Sequence, residues 1–174
     1  MNYSTIYTAS VSEGLGMRVS LFVSGCHHHC KGCFNECTWD PNYGKPFTKE
    51  TEDFLIEKIN KPYIKGLSLA GGEPFFHSNR GPLLAFVKRV KEECPQRDIW
   101  CYTGAEIQDL LLCGKEEDTT GYQLLTYIDV LVDGPFILEQ RDISLAFRGS
   151  RNQRIIDVQK TLSSGNIILF GVPQ

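Results

Sequence analysis

No apolar run in the 174 residues is long enough to cross a membrane. The most hydrophobic stretch near the N-terminus, residues 19–23, is also too short for the core of a secretory leader. Positive charge is not in excess either: 18 Lys and Arg against 21 Asp and Glu leave a net charge of −3. That excludes the electrostatic footprint of a nucleic-acid binder. Cysteine does not come in pairs, because there are seven. An odd count without a leader argues against a disulfide scaffold and for a cytoplasmic protein whose thiols are reduced or bound to metal. No repeat, low-complexity run or linker divides the chain. One domain over residues 1–174 is expected, with its core at about 16–158 and a tail, 159–174, of uncertain structure.

Against these absences stands one dense motif. Cys26, Cys30 and Cys33 follow the spacing C-x3-C-x2-C, with the aromatic Phe34 directly after. The pattern offers three thiolates on one short loop and no fourth. A cube of four irons held by three thiolates keeps one iron open to an exchangeable ligand, whereas a ferredoxin-like electron carrier needs a fourth cysteine. Zinc is the alternative, with Cys37 completing a four-thiolate site or His27, His28 and His29 supplying nitrogen. Otherwise these histidines read as exposed loop residues, with tuning of a bound cluster by hydrogen bonding as the alternative. Cys94, Cys101 and Cys113 are scattered and read as core or surface positions.

The rest of the chain alternates strand and helix patterns. Residues 18–24 (RVSLFVS) read as a first strand that ends at the cysteine loop. Thr48 caps a helix to about residue 60, with Phe54, Leu55 and Ile59 facing inward. Residues 66–70 form a second strand, followed by Gly71-Gly72-Glu73-Pro74. Pro82 suits the first turn of the next helix and Pro95 ends it. A third strand is expected at 98–102, a short helix at 106–112, a polar surface insertion at 114–121 and a helical stretch at 122–127. Strands at 130–133 and 154–158 close the series, and 162–170 reads as an extra strand, with a docking segment as the alternative. Alternation of this kind predicts an α/β fold of five or six parallel βα units. That is too few for a closed eight-unit barrel, so an incomplete (βα)5-6 partial TIM barrel, open on one side, is expected. Its functional residues belong at the C-terminal strand ends, where both the cysteine loop and the glycine motif fall.

A Gly-Gly turn after a strand lets backbone approach a ligand closely, and Glu73 adds an acceptor for an ammonium group. Alone the turn is common. Joined to C-x3-C-x2-C and Phe34, it resembles the radical S-adenosylmethionine (SAM) superfamily. Further segments narrow the resemblance: 21–26, 66–69, 99–104, 130–134 and Arg148-Gly149-Ser150 recur in the order found in activating proteins of anaerobic ribonucleoside-triphosphate reductases.

The resemblance implies a [4Fe–4S] cluster on Cys26, Cys30 and Cys33, with SAM chelating the open iron. Gly32 and Phe34 would flank its adenine. Gly71, Gly72 and Glu73 would contact its methionyl end, and Thr103 and Asp133 would complete the pocket at the ribose or carboxylate. Reductive cleavage of SAM would yield a 5′-deoxyadenosyl radical that takes hydrogen from a glycine in the C-terminal loop of the reductase's large subunit. A reduced flavodoxin-type protein would supply the electron. Arg148-Gly149-Ser150 would lie on the open side, either orienting that loop or packing its own. Activators of pyruvate formate-lyase type, or a small radical SAM enzyme acting on a metabolite, are the alternatives. Neither nucleic acid nor membrane is an expected partner.

Overall fold

The computed structural model describes residues 1–115 and 118–171. Its strands are β1 (Asn2–Ser10), β2 (Arg18–Val23), β3 (Lys45–Pro46), β4 (Gly66–Gly71), β5 (Asp98–Tyr102), β6 (Val130–Asp133) and β7 (Arg154–Asp157). The α-helices are α1 (Lys49–Ile59), α2 (His77–Glu93), α3 (Ile107–Leu112), α4 (Thr120–Thr126) and α5 (Val158–Ser164). The protein is α/β: the strands make one open mixed sheet in the order β3-β1-β2-β4-β5-β6-β7.

Strands β2, β4, β5 and β6 run parallel, joined through the helical crossovers that such pairing requires. The flanks depart from the expected all-parallel pattern. Strand β1 precedes the first strand read from the sequence and pairs antiparallel with β2. At the other side β7 is antiparallel to β6, matching Val130 with Asp157 and Asp133 with Arg154. The connection from β6 to β7 is an irregular loop holding only a short 3-10 turn, so no helix carries the chain back for a parallel return.

Side-chain alternation assigns the two faces of the sheet. Val19, Leu21 and Val23 of β2, Leu67 and Leu69 of β4, and Ile99 and Cys101 of β5 are all completely buried under the helices. There they meet Leu55 and Ile59 of α1 and Leu83, Phe86 and Val87 of α2. Each such aliphatic or aromatic side chain contributes about 1.5–3 kcal/mol by leaving water. The opposite face is partly polar. Arg18 is fully buried on it, donating to Ser68 Oγ at 2.7 Å, pairing with Asp98 at 2.6 Å and lying over the Trp100 ring. Trp100, Val130, Val132 and Ile155 form a smaller apolar cluster beside it.

Several local expectations change. Thr48 caps α1 by accepting from the Thr51 amide, but Phe54 points outward, 41% exposed, and Ile56 takes the inner position. Helix α2 starts at His77, so Pro82 lies inside it rather than in its first turn. The tail does not add the strand expected at 162–170. Asp157 caps α5, Gly165 ends it in the left-handed conformation, and beyond it Leu169 makes a single bridge to Ile156. Phe170 then packs edge-on against Trp100 at 5.5 Å. In the insertion expected at 114–121, Glu116 and Glu117 lie outside the described residues.

Candidate active site

Strand β2 delivers the chain at Val23 into the cysteine loop, and β4 delivers its parallel neighbour at Gly71 into the Gly-Gly-Glu-Pro turn. The two loops are stitched together by main-chain bonds: Gly72 N–H donates to Val23 O and Glu73 N–H to Gly25 O, both at 2.8 Å. Asn79 of α2, completely buried, ties them again by donating to Ser24 O at 2.9 Å and Glu73 O at 3.0 Å. Such close approach explains the glycines. A Cβ on Gly71, whose φ is +103°, would stand 2.6 Å from Val23 O, and one on Gly72 would stand 2.6 Å from Gly25 O.

Beside this junction opens a cavity of about 900 Å³. Cys26, Cys30 and Cys33 all line it, with Gly32, Phe34, Gly71, Gly72 and Thr103. Each of the three cysteines is a free, half-buried thiol. Burial pushes the Cys26 thiol up, while the main-chain N–H groups of His28 and His29 pull it down. Phe34 is 98% exposed and its ring is free to cover a ligand. The far wall comes from the loop between β6 and β7, including Phe136, Arg141, Arg148 and Gln153.

Glu73 and Asp133 are not on the cavity wall. Glu73 is 1% exposed and its carboxylate is saturated by four donors. One oxygen accepts from Phe75 N–H (2.9 Å) and Thr103 Oγ1 (2.8 Å), the other from Gly104 N–H (2.9 Å) and His28 Nε2 (2.7 Å). The carboxylate therefore braces three loops. Asp133 is fully buried, accepts from Ile107 N–H at 2.9 Å at the start of α3, and pairs with Arg154. These bonds give it a capping and ion-pairing role. Thr103 lines the cavity, but its hydroxyl already donates to Glu73 and accepts from Ala105 N–H at 3.0 Å.

Two further expectations are modified. His28 is not simply exposed: its side chain is only 18% accessible, held by Glu73, whereas His27 and His29 are exposed. Arg148 donates to Gln153 O at 2.9 Å, and Gln153 accepts from the Gly149 and Ser150 amides, so this loop is packed by its own residues. Arg148 Nε is buried with no partner among the described residues. Sequence reasoning passed over Asn79, read Gly104 only as part of a recurring segment, and did not set His28 apart from its two neighbours. No spacing rule distinguishes His28 from its two neighbours, and Asn79 is one polar residue in an amphipathic helix.

Residues 12–156 match the family described as "4Fe-4S single cluster domain". An anaerobic ribonucleoside-triphosphate reductase-activating protein from Vibrio cholerae serotype O1 is 48% identical over 157 residues, covering 89% of this chain and 97% of that one. Its namesake from Escherichia coli strain K12 is 43% identical over 155 residues, 88% and 96% of the two chains. One from Enterobacteria phage T4 is 40% identical over 155 residues, 89% and 93%. The chain belongs to the anaerobic ribonucleoside-triphosphate reductase-activating protein family.

The donor set fits the cluster that this family's domain description names. Three thiols from one loop reach one cavity, and the carboxylate of Glu73, in the adjoining turn, is turned away from it. Cys37 is exposed on the 3-10 turn Glu36–Trp39. Among the described residues no three His, Cys, Asp or Glu side chains converge as a single metal ion would require. Nor, among these residues, is any helix long and apolar enough to cross a membrane.

Proposed function

We propose that this chain is a radical SAM activase that generates a glycyl radical on an anaerobic ribonucleoside-triphosphate reductase. The observation that carries the reading is the meeting of Cys26, Cys30, Cys33, Phe34, Gly71 and Gly72 on one cavity at the C-terminal ends of parallel strands. Names of relatives over most of the chain support the reductase as target. The open sheet with its one helical face is the part of a radical SAM partial barrel that the chain builds, and the whole chain acts as a single cytoplasmic domain.

In this reading Cys26, Cys30 and Cys33 hold a [4Fe–4S] cluster with one iron left for the methionyl end of SAM. Gly71 and Gly72 offer main-chain polar groups to that end, because no side chain keeps it away. Gly32 and Phe34 receive the adenine, the exposed ring closing over its face. Thr103 borders the sugar. Glu73 and Asp133 act from behind the wall, the first by holding Thr103, Gly104 and the cysteine loop in register, the second by fixing α3. When bound at these residues, a reduced cluster with SAM would supply the one-electron chemistry needed to remove a hydrogen atom from a glycine Cα.

The open side then serves the partner. A protein loop must enter from outside, and the cavity mouth meets it with Ile143, 90% exposed, and with Phe147 held at φ +56°. Arg148 lines this wall, facing the place where the large subunit's C-terminal glycine loop would enter. Closing of the cavity by that loop excludes water from the reacting groups. A reduced flavodoxin-type protein is the electron donor. The test is SAM cleavage: anaerobically reconstituted protein, given a reductant, forms 5′-deoxyadenosine, and Cys30→Ala does not. Normal cleavage by Cys30→Ala would refute the cluster assignment.

A further inference from the structure

We propose that His28 is a positioning residue that locks the cysteine loop onto the ends of β4 and β5, through its bond to Glu73 and a seat that exists because residue 104 is glycine. The inference rests on the reading of Cys26, Cys30 and Cys33 as cluster ligands.

His28 is the middle residue of the three between Cys26 and Cys30. Its Nε2 lies 2.7 Å from Glu73 Oε2, and with that carboxylate accepting, Nε2 carries the proton and donates. Glu73 cannot follow a drifting loop. It is 1% exposed, and its other bonds run to three groups on two elements: Phe75 N–H, Thr103 Oγ1 and Gly104 N–H. The imidazole is therefore bonded to a fixed point.

The seat is the second, independent observation. A Cβ at residue 104 would stand 2.5 Å from His28 Cδ2, 2.7 Å from Cγ and 2.8 Å from Nε2. The ring thus occupies the volume that any side chain at 104 would fill. On its other side it is covered by His27, ring centroids 4.3 Å apart, and His27 in turn stacks on Phe76 at 5.9 Å.

The consequence follows from loop length. Three residues between two ligands form a short span, and pinning its centre fixes the approach of both cysteines. It also fixes the main-chain N–H groups of His28 and His29, which face Cys26. Partners outside the ligand sphere that orient ligands in this way typically change metal retention by about 10–100-fold when removed. His27 and His29, exposed and without such a bond among the described residues, have no equivalent hold on the loop.

The test uses the full chain, reconstituted anaerobically with iron and sulfide, and reads the rate of iron release to a ferrous chelator alongside SAM affinity. His28→Ala and Gly104→Ala are both expected to release iron about 10-fold faster, one by removing the bond and the other by evicting the ring. His28→Gln, whose amide nitrogen reaches Glu73 much as Nε2 does, is expected to restore retention, and His29→Ala, whose ring lies on Trp39 rather than on His28, to match the wild type. Thermal unfolding of each apo-protein separates loss of the lock from loss of the fold, and His28→Ala, a loop truncation, is expected to unfold near the wild-type temperature. Equal release by wild type and His28→Ala would overturn the proposal. So would tighter SAM binding by His28→Ala, which would mean that the imidazole competes with the ligand for Glu73. A wild-type protein that retains no iron would overturn the cluster reading itself, and this inference with it.

Discussion

Asp133 separates a residue that touches the ligand from one that holds the wall, and its removal has a calculable cost. In Asp133→Ala the amide of Ile107 loses its acceptor at the start of α3, and Arg154 loses its paired carboxylate. Loss of a helix-capping acceptor costs about 0.5–2 kcal/mol. Breaking a fully buried ion pair costs about 3–5 kcal/mol, but Arg154 keeps 30% of its side chain in water and a bond to Gln108 Oε1, so about half of that applies here. The sum is about 3 kcal/mol, a fall of about 6–12 °C in the unfolding temperature for a chain of this size. Asp133→Asn keeps an oxygen for the Ile107 amide and should lose about half as much. The assay is thermal and urea unfolding of the apo-protein, because a bound cluster would add its own stabilisation. SAM affinity, measured on folded and reconstituted protein, should match the wild type. An unchanged unfolding temperature together with lost SAM binding would refute this assignment and return Asp133 to the ligand.

Phe34→Ala should leave stability unchanged, because the ring is 98% exposed, yet weaken SAM binding by about 10-fold, the usual worth of an aromatic stacked on a base. Equilibrium dialysis under anaerobic conditions reads this directly. Gly72→Ala drives a methyl to 2.6 Å from Gly25 O and 2.9 Å from Thr38 O, both main chain; it should cost about 1–3 kcal/mol in urea unfolding of the apo-protein. Cys101 is completely buried in β5, and burial raises its thiol well above the ordinary value of 9.0. Its contribution to apo-protein stability is therefore full below pH 9 and is lost as the pH rises from there through the raised value. Above pH 9 the wild type should lose stability more steeply than Cys101→Ala, by up to about 1.4 kcal/mol per pH unit, and parallel curves would contradict the assignment.

The strands most legible in the sequence were those buried on both faces. Residues 98–102 and 130–133 were read with the bounds the structure gives them, because apolar runs between breakers carry their own limits. Strand β1 (NYSTIYTAS) was missed since it is half-exposed and built from Ser, Thr and Tyr without an apolar run. The direction of β7 was not legible for a different reason. Periodicity says that 154–157 is a strand, but parallel or antiparallel depends on how the 134–153 loop returns, and that loop carries no periodic signal. At the site, the cysteines and the glycines announced themselves by spacing, and they do line one cavity. The bonding of the acids was not legible. Glu73 and Asp133 sit in or next to motif residues in sequence, yet alternation and turn geometry send both carboxylates behind the wall, where they meet long-range partners 21 to 45 residues away. Such pairings are tertiary and leave no local trace.

The central claim is that this chain makes a radical on a partner protein. Low-temperature EPR tests it most directly, on the anaerobically reconstituted, reduced protein with SAM and the large chain of an anaerobic ribonucleoside-triphosphate reductase. The account predicts a glycyl-type doublet that vanishes when any of the three components is omitted. A cluster signal that shifts on adding SAM, with no doublet in the complete mixture, would contradict it and point to another substrate.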